Sequence, residues 1–309
     1  MELDPILRDY IASRANEPRF SALEPQAARA SRANSRMKTW PGAAQTTAED
    51  ITVPMAWGSC RARFYRPLGE MPAALVVFFH GGGFVVCDIN THDGVARSIA
   101  GGAGVAVLSV DYRLAPEHPW PAGQEDAIAA IEWACENAPA LGIDPMQIIL
   151  CGDSAGGNLA AVAARRLAGH IPLLGLALFY PTVDYPDAGH GSYREFSEGF
   201  GLTEADSAYF WQHYLSGHAT RPAEPAILRA ADLSGLPPTF VGTAEYDVLR
   251  DEGEAFAARL MAAGVTVTGR RYLGANHNFI AFAGQLQAAN SAYADVCRWI
   301  REQISKQEQ

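Results

Sequence analysis

Apolar positions along the chain fall into two textures. Near the start, Leu3, Ile6, Leu7, Tyr10 and Ile11 recur three and four apart, the stripe of an amphipathic helix whose apolar face must pack on something. From residue 51 the apolar residues bunch into short β-rich runs. Residues 51–57 and 61–66, separated by Gly58-Ser59, predict a hairpin. Further runs predict strands at 74–79, 105–110, 147–151, 173–179, 239–242 and 265–272. Several are apolar on successive residues, as strands covered by helices on both faces must be. Between them helical spacing predicts helices near 91–101, 123–138, 156–168, 251–263 and 285–304. Strands alternating with helices in this way predict an α/β fold with a mostly parallel central sheet flanked by helices.

Residues 186–225 interrupt the alternation. This stretch is polar and aromatic, with Tyr193, Phe196, Phe200, Tyr209, Phe210, Trp211 and Tyr214, and insertions of that length in a compact sheet serve as lids or binding elements. The chain has 309 residues, 49% hydrophobic and 19% charged, enough apolar content for a large core and far from the profile of a disordered chain. The net charge of −10 repels phosphate backbones and anionic lipid, which argues against nucleic-acid and membrane partners. Charge is uneven, however. Residues 1–40 carry seven basic side chains against five acids, so this segment is mildly basic. A solvated helix face accounts for its arginines; the rival reading is that Arg29, Arg32 and Arg36 attract acidic substrates. The acidic first residues lack a basic start and an apolar run, and no stretch of 18 apolar residues follows, so the expectation is a cytoplasmic protein. Five scattered cysteines, Cys60, Cys87, Cys135, Cys151 and Cys297, argue against a disulfide framework or a zinc site.

The sharpest local feature is Gly152-Asp153-Ser154-Ala155-Gly156-Gly157, which follows a predicted strand and opens an Ala-rich helix. In that setting Gly-x-Ser-x-Gly is a tight elbow that lifts the Ser154 hydroxyl above the sheet at the positive end of the helix. A serine hydroxyl becomes a useful nucleophile only when a base takes its proton, and that base must be held by a carboxylate. In this fold the partners follow in the order Ser, Asp or Glu, His. Of the histidines well downstream, His190, His213 and His218 lie in the aromatic insertion, and His277 alone follows the last predicted strand. His277 is therefore the expected base. Glu245 and Asp247 both stand at the end of the preceding strand, and the residues leave the choice between them open. Asp251, with Glu254 three residues on, is expected to cap the following helix. Cys151, at the end of an apolar strand, reads as a buried thiol rather than a nucleophile.

Acyl transfer also builds negative charge on a carbonyl oxygen, which preorganised N–H groups must stabilise. His80-Gly81-Gly82-Gly83, at the end of a predicted strand, is the obvious source, because glycines let the backbone approach a ligand with its donors free. Asp111 to Pro121, rich in rigid and polar residues, is expected to be a structural loop in which Arg113 and Glu117 find ionic partners.

Taken together, His80 to Gly83, Asp111-Tyr112-Arg113-Leu114-Ala115-Pro116-Glu117, Gly152 to Gly157, Tyr180-Pro181, Asp247-Val248-Leu249-Arg250-Asp251-Glu252-Gly253 and His277-Asn278-Phe279 resemble the hormone-sensitive-lipase-like, family IV carboxylesterases of the α/β-hydrolase superfamily. The resemblance covers most of the chain. It implies a catalytic triad of Ser154, Asp247 and His277, oxyanion donors at Gly82, Gly83 and Ala155, and no cofactor or metal. It also implies a helical cap built from residues 1–45 and 186–225 over a hydrolase core at 46–185 and 226–309. One position departs from the pattern: the family commonly has Gly where this chain has Asn278, a residue that tolerates left-handed backbone.

The expected activity is hydrolysis of short- to medium-chain carboxylic esters, with a small-molecule ester as partner. Amidase, peptidase or lactonase chemistry on the same triad is the alternative. A non-catalytic receptor on this fold is a third reading, against which His277 stands, since such receptors lack the triad base. The resemblance also admits a homodimer, which no residue pattern fixes.

Overall fold

The computed structural model describes residues 2–69 and 72–307. Its centre is one sheet of eight strands: β1 (Thr46–Met55), β2 (Gly58–Pro67), β3 (Leu75–Phe79), β4 (Ala106–Val110), β5 (Ile148–Asp153), β6 (Gly175–Phe179), β7 (Thr239–Tyr246) and β8 (Val267–Asn276). The spatial order is β1-β2-β4-β3-β5-β6-β7-β8. The hairpin β1–β2 pairs antiparallel and β2 meets β4 antiparallel, while every later pairing is parallel. The sheet is mostly parallel, as the alternating elements predicted.

Among the described residues ten α-helices accompany the sheet: α1 (Pro5–Ser13), α2 (Pro25–Arg32), α3 (Asp93–Ala103), α4 (Ala122–Glu136), α5 (Ala138–Leu141), α6 (Ala155–Leu167), α7 (Gly191–Glu195), α8 (Glu204–Tyr214), α9 (Arg250–Ala262) and α10 (Gln287–Gln307). Two cores result, one on each face. Ala127 and Ile131 of α4, Leu159 of α6 and Phe256 of α9 pack on one face. Val95 and Ile99 of α3 and Tyr293, Val296 and Ile300 of α10 pack on the other. The five residues of β3 are all buried, and so are those of β4, which is why their sequences read as unbroken apolar runs. Helix α1 carries the expected apolar stripe from Ile6 to Ile11 and begins at Pro5, where the Asp4 carboxylate accepts the Ile6 N–H at 2.9 Å. Leu7 is its buried contact.

Two local expectations need correcting. The hairpin turns at Ala56 and Trp57, with Met55 opposite Gly58, two residues earlier than Gly58-Ser59 implied. Trp57 explains the shift: its Nε1–H donates to the Asp126 carboxylate at 2.7 Å and the Arg113 guanidinium lies 4.6 Å from its ring centre, a tertiary anchor no local pattern reveals. Asp251 is not a cap. It lies in the first turn of α9, and its carboxylate accepts the Ser192 N–H at 2.8 Å, tying α9 to α7.

The 111–121 loop is braced as expected. Arg113 grips Asp126 through Nη2 at 2.7 Å and Nε at 2.9 Å, and Glu117 accepts Arg29 Nη1 at 2.8 Å. The Arg29 guanidinium holds the Glu117 carboxyl down at about 2. Arg29 also donates to the carbonyls of Val85 and Ala115. It is thus a strut between α2 and the core, which removes it from the arginines offered to an acidic substrate. The described cysteines are all free, and burial pushes the Cys151 thiol well above its ordinary range. Among the described residues no helix is long and apolar enough to cross a membrane.

Candidate active site

The carboxyl ends of the parallel strands all point one way, and four of them deliver the site. Ser154 follows β5, the glycine loop follows β3, Asp247 follows β7, and His277 follows β8. Ligands bind outside the carboxyl ends of such sheets because there the strands stop and the loops diverge.

Ser154 sits at φ 52°, ψ −118°, a left-handed conformation uncommon for a residue with a side chain, and its N–H is held by the Phe179 carbonyl at 2.9 Å. The tightness of this turn is visible at Gly156, where a Cβ would come within 2.0 Å of the Phe79 carbonyl oxygen. His277 lies 123 residues downstream with Nε2 3.0 Å from Ser154 Oγ. On its other side, Nδ1 is 2.8 Å from Asp247 Oδ2. Asp247 can only accept, so Nδ1 carries the proton and Nε2 is left to accept from the serine hydroxyl. Asp247 is buried at 1% exposure, and its Oδ1 accepts the Leu249 N–H at 3.0 Å. Glu245, the rival acid, is engaged elsewhere: its carboxylate accepts the Gly274 N–H at 2.7 Å and so ties β7 to β8. Asn278 adopts φ 67°, ψ 19°, so the residue that departs from the family pattern keeps the left-handed turn a glycine would make.

Gly82 and Gly83 line the same cavity as Ser154 and His277. Gly82 has φ +117°, and a Cβ there would meet the Val86 carbonyl oxygen at 2.1 Å, so no other residue fits without moving the loop. Among the described residues, no backbone hydrogen bond is donated by Gly82, Gly83 or Ala155. Ala155 opens α6 directly after Ser154.

One supporting residue carried no role in the sequence reading. Asp153, just before the elbow serine, accepts the Gly81 N–H at 2.9 Å and faces His92 Nε2 at 3.4 Å. It thereby ties the serine turn to the glycine loop; the signal was an acid placed beside the serine. Behind the loop the Tyr112 hydroxyl donates to the His80 carbonyl at 2.7 Å, and burial lowers the His80 imidazole, keeping it neutral.

A cavity of about 730 Å³ opens over Ser154. Its far wall comes from two separated stretches of chain, residues 10–38 and 199–211. These meet each other directly: Phe20 packs on Phe210 with ring centres 5.1 Å apart, the Ser21 N–H is accepted by Asp206 at 2.9 Å, and Arg19 donates to the Gly201 carbonyl at 3.0 Å.

A model of the alpha/beta hydrolase fold matches residues 76–281. The carboxylic ester hydrolase LipN of Mycobacterium tuberculosis is 44% identical over 75% of this chain, a match spanning 64% of LipN, just under two thirds of its length. The carboxylesterase NlhH of the same species is 43% identical over 74% of this chain and 73% of its own. The chain superposes on a hyperthermophilic esterase from Pyrobaculum calidifontis with a TM-score of 0.88 and 37% identity, covering 98% of this chain and 99% of that one. A thermostable esterase from Pseudomonas putida gives a TM-score of 0.90 at 31% identity, covering 98% of each chain. This chain belongs to the α/β-hydrolase fold family, in its hormone-sensitive-lipase-like branch of carboxylic ester hydrolases.

Proposed function

We propose that the protein is a serine carboxylesterase that hydrolyses short- to medium-chain carboxylic esters through an acyl-enzyme on Ser154. The observation that carries this reading is the unbroken series Ser154 Oγ to His277 Nε2 at 3.0 Å and His277 Nδ1 to Asp247 at 2.8 Å, beside glycine N–H groups left free.

His277 takes the Ser154 proton as the hydroxyl oxygen attacks the ester carbonyl. Asp247, buried and pinned by the Leu249 N–H, keeps the imidazole in the tautomer that can accept and stabilises the imidazolium that forms. The N–H groups of Gly82, Gly83 and Ala155 receive the oxyanion of the tetrahedral intermediate, and groups fixed in advance of the charge lose little energy to reorganisation. The imidazolium then returns its proton to the departing alkoxide, which leaves as the alcohol. Water, deprotonated by His277, attacks the acyl-Ser154 ester and releases the carboxylic acid. The wall formed by residues 10–38 and 199–211 acts as a cap that excludes bulk water and sets which acyl and alcohol groups fit.

Ser154→Ala should reduce kcat for p-nitrophenyl butyrate by at least about a thousandfold, since loss of a triad member costs orders of magnitude. Residual activity within about tenfold of the parent would refute the assignment.

A further inference from the structure

The cavity wall contributed by the N-terminal segment is cationic. Arg14, Arg19, Arg32, Arg36 and Lys38 line it, against the carboxylates Glu17, Asp153 and Asp206. The acids are all occupied: Glu17 pairs with Arg14, Asp153 accepts from Gly81 and faces His92, and Asp206 accepts from Ser21. Arg19 is matched by Glu198 at 3.5 Å. Arg36 spends Nη1 on the carbonyls of Ala33 and Ser35, which fix it without neutralising it.

Arg32 differs from these. Half-buried at the end of α2, its guanidinium lies over the Phe20 ring at 4.7 Å, and among the described residues it makes no hydrogen bond or ion pair. A series of ring contacts leads from it to the glycine loop. Phe20 packs on Phe210, and the Phe210 ring lies 2.2 Å from where a Cβ on Gly83 would stand. Its charge also acts on the Cys87 thiol, against the burial that pushes that thiol up to about 12, and Cys87 Cβ is 3.0 Å from where a Gly82 side chain would begin. A planar fork of five N–H donors, partly withdrawn from water, with no acceptor of its own and lining the cavity that also holds Ser154, fits a carboxylate on the substrate.

We infer that Arg32, backed by Arg36 and Lys38, forms an anion subsite that selects monoesters of short dicarboxylic acids. The inference rests on the esterase reading above. The ester carbonyl sits at Ser154 while the distal carboxylate of the acyl group meets Arg32. Acylation releases the neutral alcohol, and water then releases the dicarboxylate with a proton. Because the chain as a whole carries −10, a local cationic wall is what allows such an anion to approach.

The test compares kcat/KM for monoethyl adipate and ethyl hexanoate, two esters of matched length that differ in one carboxylate. Arg32→Gln should lower the ratio of the two values about tenfold, the effect of a charge-assisted contact in a partly wet site. Arg32→Lys should restore most of it, and added salt should lower it in the parent. A ratio unchanged in Arg32→Gln, including a parallel fall of both values, would mean that Arg32 only supports Phe20 and would overturn the inference. If the parent turns over neither ester, the esterase reading fails separately. The subsite is then decided by calorimetric titration of the Ser154→Ala protein with monoethyl adipate, which Arg32→Gln must weaken about tenfold for the inference to stand.

Discussion

The two walls of the cavity are built on opposite principles. The sheet side holds Ser154, Asp247, His277 and the glycine loop at strand ends, with buried Asp247 bonded to the Leu249 N–H and to His277, and His277 to Ser154, at 2.8 to 3.0 Å. The facing side, from residues 10–38 and 199–211, is held by a tilted ring pair and single hydrogen bonds, and carries exposed and half-buried arginines. The first arrangement has one workable geometry, because glycine positions filled to within about 2 Å leave nowhere to move. The second also presents exposed side chains, such as Arg36 and Lys38, whose replacement leaves the core packing untouched. On the function proposed above, reaction chemistry and substrate choice fall to parts of the molecule with different tolerance to substitution.

The contrast can be broken most severely at Asp247. Asp247→Asn keeps the shape of the site but favours the wrong imidazole tautomer, so kcat should fall by about ten-thousandfold with little change in KM. A loss under about a hundredfold, measured with p-nitrophenyl butyrate, would show that the sheet side does not depend on this hydrogen bond. On the facing wall, Phe20→Ala removes the ring between Arg32 and Phe210. Its effect should lie in KM, by less than about tenfold, with kcat close to the parent value. A collapse of kcat instead would mean that the two walls share one function.

The smallest effect lies outside the cavity lining, where α9 meets α7. Glu252 on α9 is buried, accepts the Val183 N–H at 2.7 Å and the Tyr193 hydroxyl at 3.0 Å, and burial pushes its carboxyl up to about 8. The folded protein therefore keeps a proton that the unfolded chain loses from about pH 4.5 upward. Stability contributed by this group is full below that point and declines as pH rises towards about 8. Glu252→Gln, which cannot ionise, should flatten the fall of Tm between pH 5 and 8. Parallel Tm profiles for parent and variant would contradict a buried, proton-holding Glu252.

What could be read from the chain alone follows the same division. The elbow, the glycine loop and His277 were legible because each is fixed by local backbone demands beside a strand, where glycine and apolar runs have few alternatives. Asp247 against Glu245 was not decided by position, since both stand at the end of β7; what separates them is which way each side chain reaches, towards His277 or towards the Gly274 N–H. The hairpin turn was misplaced because Trp57 is anchored by Asp126, a residue 69 positions away. Asp251 was misread as a cap because its partner Ser192 lies 59 residues back. Arg29 and Arg32 look alike in sequence, and only the fold gives one of them Glu117 and leaves the other facing the cavity.

The positive φ of Ser154 has a consequence for how the protein changes over generations. A left-handed residue with a side chain costs of order 1 kcal/mol or more, and glycine occupies the same conformation without that cost. Ser154→Gly should therefore give a protein that melts higher and hydrolyses nothing. Selection acting on folding alone would erase the serine; on the function proposed above, turnover holds it at the elbow against the preference of the backbone.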